Sequence, residues 1–398
     1  MRCHRLVLCL VAIALPAWAA APGAPHGPAT PYAQRVDVPA LTELGRAIFF
    51  DAELSPSGAA SCASCHDPRH AYGPPDADAV KLGLRAAPSL RYLNTLPPFT
   101  EHHFDNDGDD STDMGPTGGH TWDGRASSAH EQARLPLLAP EEMGGPSEAA
   151  VVERLRLAPY ANAFRAAFGA DIFERREAAF DAALMALEVF QQSPADFYPF
   201  SSRYDAVLRG QATLSAQEAR GLAVFNDPAK GNCASCHLSQ IKADGAFPLF
   251  TDFGHIAIGV PRNPRVRANA DPRFFDLGLC GPQRTDLADQ ADYCGRFRTP
   301  TLRNVARRQS FFHNGAIASL DEAVRFYVGR DTDPARWYGA AGRFDDLPAR
   351  YHANVNTEPP FGGRPGAAPA LSEAEIADVV AFLKTLTDAD QADPADQK

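Results

Sequence analysis

The chain has 398 residues, room for about two domains with buried cores. Hydrophobic residues at 45% and charged ones at 22% exclude disordered and fibrous classes. With 38 Lys and Arg against 49 Asp and Glu the net charge is −11, and the absence of a basic block excludes a nucleic-acid binder, which needs clustered cations for phosphate.

In chain order, the first feature is a targeting segment. Arg2 and Arg5 precede an apolar run, 6–15, and the small-residue site Ala17-Trp18-Ala19, which together predict a secretory signal peptide over 1–19. The run is too short to span a bilayer, and no later segment is long and apolar enough to do so. Cleavage removes two positive charges, taking the net charge from −11 to −13. The mature protein is expected to be periplasmic, starting with a flexible stretch, 20–40.

Next come a short amphipathic helix at 44–51 and the motif Cys62-Ala63-Ser64-Cys65-His66. A second helix of similar sequence, 219–227, precedes Cys233-Ala234-Ser235-Cys236-His237. C-x-x-C-H attaches c-type haem. Positions i, i+3 and i+4 share a helix face, so both sulfurs reach the vinyl groups while the imidazole meets the iron. Zinc half-sites and disulfides also use C-x-x-C, but the following His, the repetition and the export signal favour two covalent haems. Cys280 and Cys294 remain as an even pair and predict a disulfide across a polar loop. Helical patterns cover 149–156, 174–191, 320–327 and 372–386, the last opening with Ser372 and Glu375 at capping-box spacing. The aromatic stretch 191–204, with Pro194 and Pro199, marks a boundary. Strands are scarce. The fold class is therefore mainly α: two cytochrome c-like domains, 41–200 and 201–390, each with one c-type haem.

The run 44–68, Trp122-Asp123-Gly124-Arg125, Gln132, Glu142-Met143-Gly144, Thr299-Pro300-Thr301-Leu302-Arg303-Asn304 and Phe312-His313-Asn314-Gly315 together resemble the bacterial di-haem cytochrome c peroxidase and MauG superfamily, over about 41–386. The resemblance implies a peroxidase-like oxidoreductase reacting with hydrogen peroxide at the His66 haem. It implies Glu142 as acid/base carboxylate, Gln132 as distal amide and Pro136 as the apolar residue over the iron. Trp122 takes the place of the tryptophan that relays electrons between the haems. On residue type alone, Glu142 and Gln132 read as solvated helix-surface groups and Trp122 as core.

The second haem needs a sixth ligand, and no Met occurs after Met185. The resemblance places Tyr327 there, a Tyr ligand being the pattern of the MauG and MbnH members; from pattern alone Tyr327 is a core residue on a stripe with Ala323 and Val324. A hard phenolate oxygen favours the oxidised metal. His255, His313 and His352 compete for the role. The implied partner is a small redox protein or a protein whose aromatic residues are oxidised. A plain di-haem electron-transfer cytochrome is the alternative. The chain departs from the family twice. The Asn that helps hold calcium in many members is missing from Arg85-Ala86-Ala87-Pro88, so calcium is doubtful; the acidic run Asp105, Asp107, Asp109, Asp110, Asp113 reads as a solvated loop. No gating histidine occurs in 76–85, which implies an open first haem unless His102, His103 or His120 substitutes.

Overall fold

The computed structural model describes residues 37–77, 83–104 and 113–392. The expected signal peptide, residues 20–36 and the acidic run from Asp105 to Asp110 lie outside them. In the first half, α1 (Val38–Phe50), α2 (Cys62–Cys65), α3 (Ala129–Leu138), α4 (Glu148–Leu157), α5 (Ala161–Phe168), α6 (Arg176–Gln191) and α7 (Pro194–Phe197) follow one another. The second half holds α8 (Arg203–Leu208), α9 (Ala216–Asn226), α10 (Leu320–Gly329), α11 (Pro334–Tyr338) and α12 (Glu373–Lys384). β1 (His255–Ile256) and β2 (Phe297–Arg298) form an antiparallel pair. The molecule is mainly helical, with long loops between helices.

Two hydrophobic cores form. The first runs from Leu41 to Phe197, the second from Tyr204 to Leu386, and the stretch 191–204 carries the passage between them. Each is built on one helix crossing, α1 on α6 and α9 on α12. At the first, a Cβ on Gly45 would sit 1.9 Å from the Ala186 carbonyl oxygen; at the second, a Cβ on Gly221 would sit 2.0 Å from that of Asp378. Only glycine permits so close a backbone approach. One turn later Phe49 meets Phe190 edge-on at 5.4 Å, and Phe225 meets Phe382 at 5.3 Å. The repeated helices therefore spend their shared Gly and Phe on a partner helix, and Phe225 also lines the cavity beside His237.

The two C-x-x-C-H segments differ in local form. The first is a turn of α-helix held by a reciprocal capping box between Ser61 and Ser64. The second, Cys233–Ser235, is a 3-10 turn entered through Asn232 in left-handed conformation without a side-chain cap, so the helical reading holds for one copy only. Cys280 and Cys294 are disulfide-bonded, and the four motif cysteines are free. Among the described residues, no helix is long and apolar enough to cross a membrane.

Candidate functional site

Each motif histidine sits in the same backbone cradle. His66 donates from Nδ1 to the Tyr72 carbonyl at 3.0 Å, and His237 donates to the Phe250 carbonyl at 2.9 Å. Tyr72 and Phe250 both have positive φ, 55° and 54°, which turns those carbonyls inward. The same oxygens accept from Leu90 N and Leu302 N. The preceding carbonyls, of Ala71 and Leu249, accept from Ser89 Oγ and Thr301 Oγ1 at 2.7 and 2.6 Å. The repeat Pro88-Ser89-Leu90-Arg91 and Pro300-Thr301-Leu302-Arg303 thus fastens both cradles. The repeat is legible in the sequence as P-[ST]-L-R. Burial lowers the pKa of both imidazoles to about 4, so they are neutral, and with Nδ1 donating the lone pair lies on Nε2. That is the tautomer an iron ligand requires.

His237 faces a cavity that encloses about 1610 Å³ when its open mouth is included. Its wall is mostly apolar and carries Cys233, Cys236, Trp122 and, from α10, Tyr327. Tyr327 stacks on Phe361 at 5.2 Å, and burial raises its phenol pKa. The cavity wall also carries Arg298 and Arg308, each with an unpartnered guanidinium nitrogen, and the unpartnered Nε2 of His313. An apolar space whose wall carries two guanidinium groups without acidic partners among the described residues, two thiols and a neutral imidazole fits a c-type haem, whose ring is apolar and whose two side arms are carboxylates.

Three rival histidines are placed by their contacts. His352 commits Nε2 to the Leu347 carbonyl, His255 directs Nδ1 to the Pro116 carbonyl, and His313 lies flat on Phe297 at 3.5 Å. The insertion with His102, His103 and His120 docks through Thr117, Gly118 and Pro116 onto 253–255, in the second half of the chain. His102 is exposed and pairs with Asp113.

At the first motif the groups are different. Gln132 and Pro136 share one face of α3, both half-buried. Past α3 the chain turns back: Glu142 N and Gly144 N both donate to Ala139 O, Met143 is buried, and Gly144 has φ +69°. A Cβ on Gly145 would lie 2.4 Å from the Leu137 carbonyl oxygen. Burial raises the pKa of Cys62 and Cys65, and the charge of Glu142, carried on this Met-Gly-Gly turn, adds to the rise. Glu142 is exposed, and the neighbouring chain still raises its pKa by partial desolvation, offset by Arg125.

Trp122 lies where the two halves meet. It is buried, its indole N–H donates to Ala86 O at 2.7 Å, and its carbonyl accepts from Arg298 N at 2.8 Å. The next residue, Asp123, is fully buried and holds Thr121, Arg125 and Arg85. Arg85 in turn pairs with Asp276, so the loop bearing Trp122 is tied to both halves. Ala86, at the site of the missing Asn, uses its carbonyl for Trp122 and its N–H for the His313 carbonyl.

Comparison with known proteins agrees with this geometry. Residues 39–213 match the family model for di-haem cytochrome c peroxidase. The chain is 34% identical over 374 residues to the methylamine utilization protein MauG of Paracoccus denitrificans, covering 88% of this chain and 89% of that one. It is 30% identical to a cytochrome-c peroxidase of Denitromonas iodatirespirans, covering 97% and 93%. The crystal structure of the diheme peroxidase BthA from Burkholderia thailandensis superposes with a TM-score of 0.79 at 42% identity, covering 91% and 89%, and a tyrosine-to-methionine variant of it gives 0.80. The chain belongs to the di-haem cytochrome c peroxidase and MauG family and is a di-haem peroxidase-like oxidoreductase.

Proposed function

We propose that this protein reduces hydrogen peroxide at a haem carried by Cys62, Cys65 and His66, and takes the electrons from a partner through a second haem carried by Cys233, Cys236, His237 and Tyr327. The reading is carried by one observation, the asymmetry of two otherwise repeated cradles. His237 shares its cavity with the phenol of Tyr327, whereas the carboxylate that acts on the His66 motif is Glu142, whose charge adds to burial in raising the thiols of Cys62 and Cys65. Cys62, Cys65 and His66 would hold the haem, which would supply an iron for peroxide binding and O–O cleavage. Glu142 takes a proton from the inner peroxide oxygen and returns it to the outer one, a task suited to a carboxyl whose pKa packing has raised. The sum is H₂O₂ with two protons and two electrons to two waters. Gln132 orients the peroxide, and Pro136 keeps the site apolar. Trp122, packed between the halves, provides the aromatic path between the two sites. The donor is a small redox protein or the aromatic side chains of a partner protein, in the periplasm.

Electron paramagnetic resonance of the resting ferric protein tests this: one high-spin and one low-spin haem are expected, and two low-spin haems would mean a capped first site, either gated by a histidine of the insertion or belonging to a plain electron carrier. Glu142→Gln should cut peroxide turnover by a hundredfold or more, in the range of a lost general acid–base, with both haems retained. Tyr327→Met should change the spectrum of the second haem alone. An unchanged spectrum there would remove Tyr327 as ligand, and His313→Gln is then the variant to compare.

A further inference from the structure

Among the described residues, the buried arginines pair with carboxylates except Arg298, and the half-buried Arg308 has no acidic partner either. Arg85 pairs with Asp123 and Asp276, Arg91 with Asp388, Arg303 with Asp205 and Arg330 with Asp331. Arg298, on β2, and Arg308, just after the 3-10 turn Val305–Arg307, have no acidic partner among the described residues. Arg298 donates from Nε to the Thr121 carbonyl and Arg308 to that of Ser310, both at 3.1 Å. Nη1 of Arg298 and Nη2 of Arg308 have no hydrogen-bond partner. Burial alone pulls both pKa values down to about 10, so both stay charged at neutral pH. Part of Arg308 remains accessible from the cavity. A buried guanidinium without a counter-ion is costly. Arg298 and Arg308 both line the His237 cavity.

Arg308 also reaches toward the other site. Its Nη1 lies 3.9 Å from where a Cβ on Gly73 would stand, and the Gly73 carbonyl accepts from Asp67 N, the residue after His66.

We infer that Arg298 and Arg308 bind the propionate carboxylates of the haem held by His237, and that Arg308 is a counter-charge shared with the His66 site. This rests on the reading that both motifs carry haem. Each guanidinium presents forked N–H donors suited to a carboxylate. Both are positioning residues: they touch the side arms of the cofactor and set the field at the iron. A nearby fixed positive charge favours the ferrous state, so its removal lowers the reduction potential.

The experiment is spectroelectrochemical titration of holoprotein variants, with covalent haem counted from the alkaline pyridine spectrum. Arg308→Gln is expected to lower both potentials, each by a tenfold or larger change in the reduction equilibrium, which is about 59 mV or more for one electron. Arg298→Gln is expected to lower the second potential only, and Arg308→Lys to restore both. Loss of the second haem in Arg308→Gln with retention in Arg308→Lys supports the same assignment. Two haems with unmoved potentials in the Gln variants, or equal behaviour of Arg308→Gln and Arg308→Lys, overturns it. Fewer than two haems in the unaltered protein would instead overturn the underlying reading.

Discussion

Asp123 shows how much one carboxylate decides. Its desolvation opposes the charged form, but Arg85, Arg125 and the Thr121 hydroxyl outweigh that cost and hold its pKa at about 2. A depressed folded-state pKa adds stability that is present above the unfolded value near 4 and is lost as pH falls through about 2. Denaturant titrations between pH 5 and pH 2.5 are expected to show the unaltered protein losing on the order of 2 kcal/mol more than Asp123→Asn. Fluorescence of the tryptophan set should change in that variant even at pH 7, because the Trp122 loop loses its anchor. Asp123 was visible as part of a W-D-G-R motif, yet its role was not, since Arg85 is distant in sequence. Glu142 is similar: residue type alone reads it as a solvated surface group, and it is exposed, so only its place on the Met143–Gly145 turn, from which its charge reaches Cys62 and Cys65, gives it a candidate role.

Among elements, the paired helix crossings carry the fold. Glycine inside a helix costs roughly 0.5–1 kcal/mol relative to alanine, so on propensity alone Gly45→Ala and Gly221→Ala would stabilise. The Cβ positions, within 2.0 Å of opposing carbonyl oxygens, reverse the sign. Each substitution is expected to destabilise by about 2–3 kcal/mol in urea denaturation, with the second haem's spectrum perturbed by Gly221→Ala and not by Gly45→Ala. The Cys280–Cys294 bridge closes a loop of sequence separation 14. A double Cys→Ser change is expected to cost about 3 kcal/mol by loop closure, read as a lower midpoint of thermal unfolding. The disulfide was legible beforehand, as the only cysteines outside the haem motifs and the expected signal peptide; the repeated helices were legible too, but as helices packing against the haems, and their Gly and Phe pack on α6 and α12 instead. The 3-10 form of Cys233–Ser235 was not, because both motifs read CASCH and the difference lies in the residues before them, Ser61 against Asn232.

At the scale of the whole molecule, the two halves are joined by polar groups from distant parts of the chain. Asp388, fully buried just beyond α12, accepts from Arg91, Tyr92 and Asn304 at 3.0, 2.6 and 2.6 Å. Gln391 accepts from Ala71 N and donates to the Pro68 carbonyl, on the loop that follows His66. The tail of the second half therefore braces the first motif's cradle. Asp388→Ala is expected to cost about 3 kcal/mol, as for a broken buried ion pair, and to speed limited proteolysis near the C-terminus. It should also broaden the spectrum of the first haem although the residue lies far from it in sequence.

The family, the two attachment motifs, the helical class and the disulfide follow from residue identity and spacing, because covalent attachment, turn chemistry and helix periodicity act over a few residues. The cradle carbonyls, the aim of Glu142, the cavity shared by His237 and Tyr327, and the two arginines without carboxylates came only with the tertiary structure. Whether a buried charge is paired depends on which distant segments pack against it, and no local pattern encodes that.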